Sequence, residues 1–153
     1  MAAKLIPAIG EWASPRSIRI AKVSFGFTAG VDVRMTTTGT YTLFTPKDGV
    51  YVQDVVINKR TAFNSTGAFT LNIGDTDIDG FIPSTDLVAS DAGLKSMKWN
   101  STAWGATRPA YVAGRYYSSD DSDTMAITAT LAVAPLSAGK AIAYVYYFEE
   151  EVA

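Results

Sequence analysis

AFTLNIG, residues 68–74, decides the fold class. Phe69, Leu71 and Ile73 fall on one side, and Ala68, Thr70 and Asn72 on the other. Strict alternation is the period of a half-buried strand, because successive side chains of an extended chain point to opposite faces. The same period recurs along the chain. Ile18 and Ile20 share a face with Arg19 opposite, and Val31, Val33 and Met35 alternate with Asp32 and Arg34. Tyr41 and Leu43 alternate with Thr40, Thr42 and Phe44, and VYVQDVVIN (50–58) is a long β-rich run. Met125, Ile127, Ala129, Leu131 and Val133 alternate with Thr124, Thr128 and Thr130, and Ile142, Tyr144, Tyr146 and Phe148 share a face of the last strand.

Many short strands separated by turn residues predict an all-β, single-domain β-sandwich or barrel. The last two runs, joined by PLSAGK (135–140), read as a terminal hairpin. Val145 and Tyr147 oppose the aromatic face of the last strand, so both of its faces are apolar. That suits a central strand, or one covered by a partner subunit. STDLVASDAGLK (84–95) predicts at most one short helix, capped by Ser84 or Thr85 and burying Leu87, Val88 and Leu94.

Directly after the deciding strand comes DTDIDGFIPSTD, residues 75–86. Asp75, Asp77 and Asp79 alternate, Gly80 follows, and Asp86 takes the twelfth place. This approaches the spacing of a calcium loop, in which alternating carboxylates before a sharp glycine turn supply hard oxygens. Three features oppose that reading. A strand precedes the loop, Pro83 stands at the ninth place, and Asp86 replaces the longer Glu. In the other reading it is a turn in which Asp75 or Asp79 bonds nearby backbone N–H groups. Calcium is the one ion the sequence suggests; no other cofactor is expected.

Two further clusters have paired readings. SSDDSDT (118–124) is a second acidic site or, better, a solvated loop. Trp99, Trp104, Tyr111, Tyr116 and Tyr117 are a sugar-stacking platform or, better, core and interface.

Composition narrows the chemistry. The 153 residues contain no Cys and no His. That removes disulfides, thiol nucleophiles, the usual zinc sites and any Ser-His-Asp triad. A carboxylate pair or a Ser-Lys dyad needs neither residue, but nothing else in the chain favours one, so no enzyme is expected. Net charge is −2 with no basic block, which argues against nucleic acid binding. No apolar run approaches the roughly 20 residues of a membrane helix. The first residues, MAAKLIPAIGEWASPRS, are broken by Pro7 and Gly10 and make a poor signal peptide. They read as an arm over residues 1–15, leading into a β-sandwich domain over 16–153, in a protein made without export.

The stretch TAFNSTGAFTLNIGDTDIDGFIPSTDL resembles a segment of tailed-bacteriophage structural proteins, in which a strand ends in an apolar-x-(V/I)-G-D motif and runs into an acidic DG(F/Y) turn. The matching residues are Phe69, Leu71, Ile73, Gly74, Asp75, Asp79, Gly80 and Phe81. PLSAGKAIAYVYYFEE is similar to the closing hairpin of the same proteins. The resemblance covers a middle segment and about the second half of the chain, and leaves the arm unmatched.

It implies a non-enzymatic virion protein, often jelly-roll-like and trimeric, that decorates the outside of the head as a cement protein. It would be made in the host cytoplasm. The implied partners are the major capsid protein and two further copies in a homotrimer, with no nucleic acid and no membrane. The implied interface residues are Ile6 and Trp12 in the arm, and Tyr144, Tyr146 and Phe148 on the last strand. The DTDIDG turn becomes a tight turn rather than a calcium loop. The alternatives are a carbohydrate-binding β-sandwich and a tail or head-fibre component.

Overall fold

The computed structural model describes residues 18–88, 93–96, 111, 114–117 and 125–149. The arm residues Ile6 and Trp12, both central tryptophans (Trp99 and Trp104) and the acidic run 118–124 lie outside them.

Among the described residues, nine strands and one helical turn follow the chain: β1 (Arg19–Gly26), β2 (Val33–Arg34), β3 (Gly39–Phe44), β4 (Val50–Ser65), β5 (Thr70–Gly74), α1 (Ser84–Leu87), β6 (Gly93–Ser96), β7 (Arg115–Tyr117), β8 (Ile127–Ala132) and β9 (Leu136–Glu149). The larger sheet has the order β2-β1-β9-β4-β6, with β7 also paired to β4; the smaller has the order β3-β8-β5. The chain is thus an all-β sandwich of two sheets. Most of its longer connections cross from one sheet to the other, and the first and last long strands, β1 and β9, are neighbours. This is the interlocked wrap of a jelly roll.

The core forms where the two inner faces meet. Val55, Ile57, Ala143 and Val145 of the larger sheet and Leu71, Ile73, Ala129 and Leu131 of the smaller are all buried. The small residues of β9, Ala141 and Ala143, leave room for the opposing side chains. β4 keeps its apolar side inward by a bulge. Its register with β9 shifts between Val52 and Asp54, so burial passes from Val50 and Val52 to Val55 and Ile57. Without that extra residue the parity would turn Val55 and Ile57 outward.

Three expectations need correction. The last two strands do not form a hairpin: β8 pairs with β3 and β5, while β9 pairs with β1 and β4. Val133, with φ of 78°, directs the chain out of one sheet and into the other. The helix is four residues long, and its N-cap position falls at Pro83, without a side-chain bond, rather than at Ser84 or Thr85. Instead the Asn72 side chain accepts from the Ser84 N–H at 2.7 Å, while the Ser84 hydroxyl accepts from the Leu71 N–H at 3.0 Å. Leu94 is not buried by a helix; it lies in β6 and is 59% exposed.

Candidate interaction surface and the acidic turn

The acidic turn is built around Asp75. Its side chain is fully buried, and donors surround it. Oδ1 accepts from the Tyr111 hydroxyl at 2.7 Å and from the Asp77 N–H at 3.1 Å. Oδ2 accepts from the Tyr117 hydroxyl at 2.9 Å and from Arg115 Nε at 3.2 Å. The Arg115 guanidinium lies 5.0 Å from the Tyr111 ring centre and 5.3 Å from that of Tyr117. Burial pushes the Asp75 carboxyl up, but the hydrogen bonds and the Arg115 charge outweigh it and hold the group below its ordinary value. The same burial, reinforced by the Asp75 charge, raises Tyr111 to about 12 and raises Tyr117 further still.

The backbone closes tightly here. Asp77 O accepts from the N–H groups of Asp75 and Gly80, and Gly80 O accepts from the Tyr111 N–H. A Cβ on Gly74 would run into Asp77 O and the Ile78 carbonyl group, and one on Gly80 into the Tyr111 ring. Both glycines are therefore required by close approach. Asp77 lies against Asp79, and the hydrogen bond between their side chains, before any other cause, raises the Asp77 carboxyl above its ordinary value.

Of the proposed ligands, Asp75 is turned inward to Arg115 and the two tyrosines, while Asp77 and Asp79 form a separate, more exposed pair. The Asp86 side chain lies outside the described part. Among the described residues, no three acidic side chains are grouped to hold a metal ion. The turn reading of Asp75 matches its bond from the Asp77 N–H. The Arg115, Tyr111 and Tyr117 partners went unseen because they stand 36 to 42 residues away. The single hint was an arginine set beside tyrosines. Tyr117 is fully buried and Tyr111 packs on Phe81 at 5.0 Å between ring centres, so two rings of the suggested sugar platform belong to the core; Tyr116 is exposed.

The two outer faces of the sandwich differ. On the smaller sheet the outward residues are Thr40, Thr42, Thr70, Asn72, Thr128 and Thr130. On the larger sheet, Tyr146 stands between Ile20 and Asp54, and Tyr144 between Lys22 and Val56. Phe148 stacks on Tyr51 at 5.0 Å in the same outer layer. Ile18, Ile20, Leu94 and Tyr116 on this face are all at least 45% exposed. The period of the last strand places Tyr144, Tyr146 and Phe148 on one face, and they do share it. β9 is a central strand whose core side is Ala141, Ala143 and Val145, and the aromatic side points outward and is half-buried.

The fold is similar to solved chains from two phage capsids. A chain of the cyanophage Pam1 capsid asymmetric unit superposes with a TM-score of 0.57 at 17% identity, over 88% of this chain and 86% of that one. A chain of the acidic stable capsid structure of Helicobacter pylori bacteriophage KHP30 superposes with a TM-score of 0.55 at 15% identity, over 90% of this chain and 93% of that one. At these identities the likeness is one of fold. No family model matches the chain, and no curated protein matches it in sequence.

Proposed function

We propose that the protein is a non-enzymatic structural component of a tailed-phage virion, a decoration or cement protein that binds the outside of the head and bridges capsid subunits. The observation that carries the reading is fold likeness along almost the whole chain to chains of two phage capsids. The aromatic outer face of the larger sheet supports it, because a monomer in water gains nothing by exposing such a patch. The partners are the major capsid protein and, through that face, two further copies in a homotrimer. The arm, with Ile6 and Trp12, engages a neighbouring subunit.

The mechanism is linkage. A protein that contacts two capsid subunits at once binds the assembled shell better than separate subunits, and so stabilises the shell. Three copies around one axis add multivalency. DTDIDG acts as a structural turn, since Asp75 is already committed to Arg115, Tyr111 and Tyr117.

The test is co-sedimentation with heads that lack the protein. Saturable binding to heads, with none to unassembled capsid protein, is expected. Binding to tails and not heads would move the protein to a tail or fibre position. Binding to neither would overturn the reading.

A further inference from the structure

The edge of β1 is open among the described residues, and it is open in a specific place. β2 pairs only with Phe25 and Gly26. The Ser24 N–H is taken by the Asp32 carboxylate at 2.9 Å, and Gly26 O accepts from Met35. The even-numbered residues thus turn their backbone groups away from β9. By the strand period, the N–H and C=O groups of Ile20 and Lys22 point off the same edge. Beside them, Ile18 and Ile20 are more than half exposed. Arg19 is ion-paired with Glu149 at 3.6 Å, and Lys22 is the second cation of this edge.

Residues 1–17, just before this edge, have matching features. Ser14-Pro15-Arg16-Ser17 has Ser at the first and Pro at the second place of a β-turn, which reverses a chain. Before it run Leu5, Ile6, Ile9 and Trp12, with Glu11 as the acidic residue. A strand formed there would be returned alongside β1; with residues 15 and 16 as the loop, Ala13 would stand opposite Ile18, Glu11 opposite Ile20 and diagonal to Lys22, and Ile9 opposite Lys22. A short tether holds it at an effective concentration on the order of millimolar.

We propose that, in the free protein, the chain's own N-terminal segment adds as an antiparallel strand to the open edge of β1. Main-chain bonds to Ile20 and Lys22 supply the pairing, as in β-strand addition generally. This pairing forms in solution, with or without a head to bind.

Amide hydrogen exchange on the full chain tests it, with the full-length double variant I9P/G10P as comparison. Adjacent prolines remove consecutive donors and block pairing in either parity. The expected result is that the Ile20 and Lys22 amides exchange at least about tenfold faster in the variant. Ile57 and Val145 should stay equally protected in both, which shows that the sandwich is intact. Three results would overturn the proposal: fast exchange at Ile20 and Lys22 in the unaltered chain, equal protection in both proteins, or protection that disappears on dilution as an oligomer dissociates. The last would assign the edge to a second copy.

Discussion

Asp75 is where a single residue matters most. It is buried with both oxygens occupied, and its removal strands a guanidinium and two hydroxyls in partly buried positions. Breaking such a pair from one side costs about 3 kcal/mol or more. Asp75→Ala should therefore lower the melting temperature by roughly 10 °C in a domain of this size, read by calorimetry. The pH dependence has a definite sign. The folded pKa of Asp75 lies below its unfolded value, so its contribution is present above the unfolded value and is lost as pH falls through the folded one. Asp75→Asn should weaken the protein at neutral pH and flatten the acid limb of its stability curve. An unchanged acid limb would remove Asp75 from this role. The sequence made this aspartate visible as a turn residue with local backbone bonds. It did not show the remote partners, since strand periodicity carries no information about which loops meet.

At the scale of elements, alternation located most strands because burial of one face imposes it directly. Within AFTLNIG, Thr70–Gly74 forms β5 with Leu71 and Ile73 in the core, as its period predicts. The β8–β9 connection was misread for a physical reason. Two alternating runs with a short turn between them are compatible with pairing side by side or with facing each other across a core. Which occurs depends on the partners of each strand, and these are distant. Val133 marks the crossing. A β-branched residue with positive φ is strained, and Val133 is 75% exposed, so little burial compensates. Val133→Asn, which tolerates this conformation, should stabilise the protein by about 0.5–1 kcal/mol in denaturant titration. A loss of stability would contradict the strain.

The two outer faces permit a paired prediction. Tyr146→Lys places a charge in the aromatic layer and should weaken head binding at least about tenfold, as loss of a central tyrosine commonly does. Thr130→Lys, on the threonine face of the other sheet, should leave binding unchanged. Equal effects from both would show that the aromatic face is not the contact.

For the whole molecule, a jelly-roll wrap with one threonine-rich outer face and one aromatic outer face, the latter set among Lys22, Asp54 and Asn58, suits a protein that covers one side and leaves the other to solvent. Light scattering on a sizing column should give a trimer, with the same mass in calcium and in EDTA. A monomer that expands only in EDTA would return DTDIDGFIPSTD to the role of a calcium site. The polarity of each strand was readable from the residues; the sheet in which each strand lay was not, and so the apolar surface emerged only with the topology.

The proposed role is to hold a shell together, and the most direct measurement is the temperature at which heads release their DNA, followed by dye fluorescence with and without added protein. Linkage predicts a higher release temperature that rises with protein concentration until the sites are filled. Saturable binding with an unchanged release temperature would contradict the account, because it would show a protein that sits on the head without bridging its subunits.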